Sequence, residues 1–226
     1  MVEKQQSTAI LLFSRTAADE AATKAFAFDR KNQLVAKQLV KHSIITAQKT
    51  QLPLFKSYNT TQKGNSFGER LANEIEKVFQ RGYESIIVIG NDCPQLSAEH
   101  ILQAKAQLQQ QEVVLGPASD GGVYLIGLQK DAYDRKTFLS FDWEKETLQA
   151  TWKAQVEQIV WLETLSDIDS AADLSKFLKT APKWHTLRQL LAAILKEIKL
   201  VIDTNHKLPA KFHFNSSALR APPFVV

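Results

Sequence analysis

The chain has 226 residues, 44% hydrophobic and 23% charged, with 8 Gly, 7 Pro and one cysteine, Cys93. These fractions exclude collagen-like, disordered and disulfide-scaffold classes, and a lone cysteine excludes an internal disulfide and a cysteine-based zinc site. The net charge is +4, yet from Lys179 onward 8 basic and 2 acidic side chains make a basic tail, while the body before it carries 20 basic against 22 acidic. No aromatic-interleaved basic stripe or nucleic-acid module accompanies the tail, so nucleic acid is not an expected partner.

In chain order, Thr8–Phe13 is a short apolar run that reads as a buried strand. It is too short for a signal segment or a membrane span, so a soluble cytoplasmic protein is expected. Residues 17–27, rich in alanine, and 32–41, with Leu34, Val35 and Leu39 on one face, predict helices. His42–Ala47 and Leu52–Tyr58 read as strands, the second weakened by Pro53. Ser66 and Glu69 form a capping-box signature ahead of Phe67, Leu71, Ile75, Val78 and Phe79 at helical spacing, and Gly82 marks the stop. Ser85–Ile89 predicts a fully buried strand. Ser97 is placed to cap a helix through Gln109, with Ile101, Leu102 and Leu108 inward. Strands at Glu112–Leu115 and Val123–Leu128 follow, then a helix near 145–154, a strand at Gln158–Leu162 and a short helix ending at Leu178. This alternation predicts a three-layer α/β/α sandwich with crossover helices. Beyond it Trp184, Leu187, Leu191, Ile194 and Ile198 form a helical stripe, expected to pack on the body or on a second copy of the chain.

In open α/β sheets ligands bind at the carboxyl ends of strands, so polar segments that follow buried strands carry the chemistry. Gly90-Asn91-Asp92-Cys93-Pro94 follows Ser85–Ile89. A carboxylate there suits a hard divalent cation carrying a diphosphate, and equally suits an Asx-turn capping the next helix. Asp120-Gly121-Gly122 either lets backbone approach a ligand or makes a tight hairpin turn. Asp167-Ile168-Asp169 either presents two carboxylates to a cation or caps the helix containing Asp173. All three are acidic and all follow strands. A parallel sheet would bring them to one edge, where they suit metal-assisted handling of a phosphorylated ligand. Cys93 reads as a small buried hydrophobe, and His100 as a surface residue of its helix.

These stretches carry a resemblance. Phe67-Gly68-Glu69-Arg70-Leu71-Ala72, then the strand into Gly90-Asn91-Asp92-Cys93-Pro94-Gln95-Leu96, are similar to motifs of the DUF2064 group. So are Leu115–Leu128, with the Gly-Pro-Ala-Ser-Asp-Gly-Gly run, and Asp167–Leu174. The DUF2064 proteins are candidate glycosyltransferases of the GT-A, nucleotide-diphospho-sugar transferase fold, with a mostly parallel mixed sheet. The resemblance implies such a domain over 1–178 and leaves 179–226 as a basic extension with one amphipathic helix. It implies a nucleotide-sugar donor and an acceptor as partners, and Mg or Mn as cofactor. Asp92 and Asp169 would hold the metal, and Asp92 and Asp120 would be catalytic. Arg15, Lys24, Arg70 and Asn91 would contact the donor phosphates, with Gly121, Gly122 and Trp143 on the sugar and acceptor side. A homodimer through the C-terminal helix is a further expectation. One departure stands out. The family's first strand leads into a Pro- and Gly-containing loop ending K-T-R-L, whereas residues 14–26 here have neither residue and add Asp19 and Glu20. A loop without glycine wraps a phosphate less readily by its backbone. Two rivals follow: a nucleotidyltransferase that makes an NDP-sugar-like product from an NTP, and a non-catalytic relative that keeps the fold as a binding or assembly module.

Overall fold

A computed structural model describes residues 7–205. Among the described residues, six strands form one sheet in the order β2-β1-β3-β5-β4-β6. β1 (Thr8–Ser14) is buried along its whole length and runs parallel to β2 (Leu54–Tyr58) and β3 (Ser85–Ile89) on either side. β5 (Val123–Gln129) is antiparallel to both β3 and β4 (Val113–Pro117), and the short β6 (Val160–Trp161) is parallel to β4. Five strands of the sheet therefore point one way, and β5 alone reverses, as the return arm of a hairpin with β4.

Alternate residues of β1 feed two cores, as the two-residue period of a strand requires. Ala9, Leu11 and Phe13 face α3 (Phe67–Phe79), α5 (Arg135–Leu139) and α6 (Leu148–Gln155) through Leu71, Ile75, Phe138 and Trp152. Ile10 and Leu12 face the other side, where Ala47 of α2 (Arg30–Lys49) and Ile101 and Ala104 of α4 (Ala98–Gln107) close the layer. A third cluster joins Val35 and Leu39 of α2 to α7 (Ala171–Thr180) and α8 (Thr186–Asn205), with Phe26 and Ile168 between them. Among the described residues no helix is long and apolar enough to cross a membrane.

Several boundaries differ from the sequence expectation. His42–Ala47 is not a strand but the second half of α2. Its Ile44-Ile45-Thr46 run favours strand locally, yet Val35, Leu39, Ser43 and Thr46 line one buried helical face, and burial outweighs propensity. The first helix, α1 (Ala17–Thr23), stops before Lys24 instead of continuing to 27. The Asn32 side-chain amide donates to the carbonyls of Ala21 and Lys24 at 2.6 and 2.7 Å, and its oxygen accepts from the Phe26 amide, so the chain is drawn away from the helix axis. Leu102 does not point inward; it is 42% exposed on α4. The strand expected over 158–162 shrinks to Val160–Trp161.

The C-terminal stripe is used within the chain. Leu187 and Leu191 are buried in the third cluster, while Trp184 lies before α8 and is 78% exposed. The side chain of Ile198 and residues 206–226, with His206 and His213, lie outside the described residues. His42 and His185 meet where α8 docks on α2, with ring centroids 5.8 Å apart. Burial holds both imidazoles below the ordinary histidine range. The charge on His185 adds to this at His42, and Lys49 acts on both rings.

Two outcomes follow for α8. Leu191→Ala should cost about 2–5 kcal/mol by equilibrium denaturation, as a buried leucine truncation does. Because both histidines are depressed in the folded state, the unfolded chain takes up more protons below about pH 6.5. The share of thermal stability that these two imidazoles contribute should be full above that value and be lost as the pH drops toward about 5, read as the difference in midpoint between wild type and His42→Gln across that range.

Candidate active site at the carboxyl ends of the strands

The carboxyl ends of β1 and β3 and the β4–β5 turn open onto a cleft of about 630 Å³. At the end of β1 the Ser14 hydroxyl donates to Asn91 Oδ1 at 2.8 Å, tying β1 to β3. Only Arg15 and Thr16 separate Ser14 from α1. Thr16 caps that helix by accepting from the Asp19 amide at 3.2 Å, and Asn59 holds both the Thr16 amide and the Asp19 carboxylate. The two added acids of this loop therefore have separate places. Asp19, held below the usual carboxylate range by its bonds to Thr16 and Asn59, faces β2. Glu20 turns inward and is 2% exposed.

At the end of β3, Asp92 Oδ1 accepts from the Asn91 amide at 3.0 Å. A Cβ on Gly90 would stand 2.8 Å from that oxygen, so a glycine is what lets the carboxylate fold back. Asp92 does not cap α4. Ser97 and His100 do so as a capping box, and His100 also pairs with Glu163. Cys93 is buried in the second core, and burial with the Asp167 charge pushes its thiol up, which makes it a packing residue.

Asp120 makes the turn and also faces the cleft. Its Oδ1 accepts from the Gly122 amide at 2.9 Å inside the β4–β5 turn, and it borders the cleft with Gly122. Gly121 does not border the cleft. It adopts φ +94°, and a Cβ there would collide with the Glu146 carbonyl oxygen, so its role is to seat the turn against the 142–148 segment. Trp143 borders the cleft while packing. Its indole donates to the Phe138 carbonyl at 2.8 Å, and its ring covers Gly68, where a Cβ would be 2.6 Å away.

The third segment runs across the same edge. Ile168 is buried in the third cluster and donates its amide to the Asp92 carbonyl at 2.8 Å, leaving Asp167 and Asp169 on the cleft side. Capping of α7 falls to Ser170 and Asp173. Sequence reasoning named Asp167 with Asp169 as a pair that could face a cation, but assigned the metal to Asp169 and not to Asp167. The Asp167 Oδ1 is buried with no hydrogen-bond partner among the described residues. Burial, then Asp92, Asp120 and Asp169, push its carboxyl up to about 8. The available signal was the apolar Ile168 between two acids, which fixes both on the face opposite to it.

Lys24 sits at the centre. Its ammonium lies 2.6 Å from Asp92, 2.7 Å from Asp169 and 2.8 Å from Glu20. Burial lowers its basicity, but Asp92 and Glu20 more than offset this and hold it firmly protonated. Arg15 lies 3.9 Å from Glu20, and Arg70, on the first turn of α3, borders the cleft with no ion pair among the described residues. Asn91 is buried, and its Nδ2 has no partner among the described residues. Seven carboxyl groups and four cationic side chains line the cleft, and even with Asp167 held largely neutral the negative excess disfavours a diphosphate unless a further cation arrives.

The acids are of the type a hard divalent ion takes, and the unpartnered oxygen of Asp167 fits one. The expected pair Asp92 and Asp169 is nevertheless spanned by an ammonium. No ready-made cluster of three ligating side chains occurs among the described residues.

The family model for uncharacterized proteins conserved in bacteria, DUF2064, matches residues 30–145. The chain belongs to that family. The matched span holds Arg70, Asn91, Asp92, Asp120 and Trp143, while Arg15, Glu20, Lys24, Asp167 and Asp169 lie outside it. Among solved structures, a candidate nucleotide-diphospho-sugar transferase from Desulfovibrio desulfuricans G20 is 20% identical, with 87% of this chain and 97% of that one covered at a TM-score of 0.68. The 4-diphosphocytidyl-2C-methyl-D-erythritol synthase from Anaerococcus prevotii DSM 20548 is 6% identical, with 84% and 97% covered at 0.51. No curated protein matches the chain. At these identities the likeness is one of fold, and the DUF2064 chain has a nucleotide-diphospho-sugar transferase-like fold.

Asp167→Asn should raise the thermal midpoint in chelator-treated buffer by several degrees, because it relieves a buried carboxyl facing three others. The same variant should weaken Mn²⁺ binding, measured by titration calorimetry, which is the usual opposition of stability and function at such sites.

Proposed function

We propose that this DUF2064 protein is a metal-dependent glycosyltransferase that takes its sugar from a nucleotide-diphospho-sugar donor. The observation that carries the reading is the convergence, in one cleft at the strand ends, of Asp92, Asp120 and Asp169 with Arg15, Lys24, Arg70 and the unpartnered amide of Asn91. Arg15, Arg70 and Lys24 supply positive charge for the diphosphate, and Asn91 Nδ2 donates to one of the donor's oxygens. Asp92 and Asp169, with Asp167 behind them, are the residues that would hold Mg or Mn, which when bound offsets charge gathering on the leaving nucleoside diphosphate. Asp120 and Gly122 sit on the sugar side, and the partly buried Trp143 offers a ring face beside them. Trp143 excludes water from that wall, since its indole N–H is already used by Phe138.

The nucleotidyltransferase alternative shares the fold, as the erythritol synthase likeness illustrates. Against it stands the direct entry of β1 into a capped helix, which leaves no glycine-rich backbone to wrap a triphosphate.

Calorimetric titration with UDP-, GDP- and ADP-sugars, in Mn²⁺ and in chelator, tests the reading. One donor should bind in a metal-dependent way, and Asp92→Asn should weaken that binding at least about tenfold, near 1.4 kcal/mol. Arg70→Ala should weaken it without changing the metal dependence. Pyrophosphate release from an NTP would favour the nucleotidyltransferase, and silence across the panel from folded protein would favour a binding or assembly module.

A further inference from the structure

Lys24 has three partners of two kinds. All three border the cleft, but Glu20 lies deep in its wall, its side chain 3% exposed, whereas Asp92 and Asp169 are 35% and 49% exposed. The lysine backbone cannot follow a moving side chain. Its carbonyl is held by Asn32 at 2.7 Å, and the next residue, Ala25, bridges to Ser170. Any rearrangement is thus confined to the four-carbon stem, which pivots about a carboxylate one helical turn away.

The ammonium and a metal cannot share these oxygens. A divalent ion bonds carboxylate oxygens at about 2.0–2.6 Å. An ion bound to both Asp92 Oδ2 and Asp169 Oδ1 would therefore crowd an ammonium that already lies 2.6 and 2.7 Å from the same two atoms. Like charges at that separation repel strongly in a partly buried site. An independent sign of a ligand lies beside them: the Asn91 amide, 5% exposed, has its Nδ2 unpartnered among the described residues at the cleft wall.

We propose that Lys24 is a displaceable internal cation, which neutralises Asp92 and Asp169 in the free protein, yields them to a divalent ion, and stays tethered to Glu20 so that its ammonium turns to the diphosphate of the bound nucleotide. The inference rests on the nucleotide-sugar reading of the cleft and deepens it. Metal alone binds weakly, because it must evict an ammonium that then has one partner instead of three. Metal and nucleoside diphosphate bind cooperatively, because the diphosphate gives the evicted ammonium a new partner, and the coupling is reciprocal. Glu20, one of the two acids added to this loop, is the positioning residue of the exchange. The arrangement replaces a glycine-rich phosphate loop by a tethered side chain.

The test uses Mn²⁺ and UDP, GDP and ADP as probes on the full chain, read by calorimetry and by the Mn²⁺ electron paramagnetic resonance signal. Without nucleotide, Lys24→Gln should bind Mn²⁺ about tenfold more tightly than wild type, since the carboxylates lose their competitor. With the nucleoside diphosphate that binds, the enhancement of Mn²⁺ affinity should be large in wild type and should shrink about tenfold in Lys24→Gln. Equal or weaker Mn²⁺ binding by the variant overturns the proposal. Tighter Mn²⁺ binding with no diphosphate binding to either protein keeps the displacement and sinks the nucleotide reading. Metal-dependent diphosphate binding with no Mn²⁺ gain in the variant does the reverse. Should the variant fail to fold, reductive methylation of Lys24 in wild type, followed by mass spectrometry, gives the same answer. Labelling should rise when Mn²⁺ is added, and an unchanged level counts against displacement.

Discussion

One ammonium holds together three carboxylates that belong to separate parts of the chain. Glu20 comes from the first helix, Asp92 from the end of β3 and Asp169 from the segment leading into α7. The buried Glu20 alone would carry a large desolvation cost, and the three together would repel. Lys24 makes their approach tolerable, and with it the close packing of α1, the β3 end and the 165–170 segment. The bond from Ile168 to the Asp92 carbonyl and the bridge from Ala25 to Ser170 complete the same junction through backbone.

The sheet explains why acids gather there. β1, β3 and β4 share a direction, so their carboxyl ends lie at one edge. β5 reverses, and the turn that feeds it therefore falls at that edge as well, which is how Asp120 joins Asp92. Small residues give the approach its room. Gly90 admits the folded-back Asp92 carboxylate, Gly121 seats the turn and Gly68 receives the Trp143 ring. The cleft is consequently a crowded set of charges on a well-packed base, with both cores directly beneath it.

The loop after β1 shows how a family scaffold accommodates a local change. Where a glycine-rich loop would offer backbone amides, Thr16 caps α1 and occupies the Asp19 amide. Positive charge is delivered instead by side chains, Arg15 and Lys24, at the two ends of a short helix braced by Asn59 and Asn32. This part of the chain lies outside the span that the family model matches, as does the Asp167–Asp169 segment that meets it. Of the four residues joined at the Lys24 junction, Asp92 alone belongs to the matched span.

Much of this was legible in the residues. β3 and the start of α3 follow from a continuous apolar run and from Ser66 ahead of an apolar stripe, because local burial patterns and caps are properties of neighbouring residues. The acids that follow strands marked the edge where the cleft opens for the same reason. The miss at His42–Ala47 came from β-branched residues on a helix whose burial depends on α4 and α8, which the local pattern does not contain. The pairing of Lys24 with Glu20, Asp92 and Asp169, and the unpartnered burial of Asp167, were equally out of reach. By itself the sequence determined the α/β alternation, the cores and the acidic strand ends. Tertiary structure alone decided which acids share a cation and which is left unpaired, because charge pairing depends on distances set by chain crossings between residues far apart in sequence.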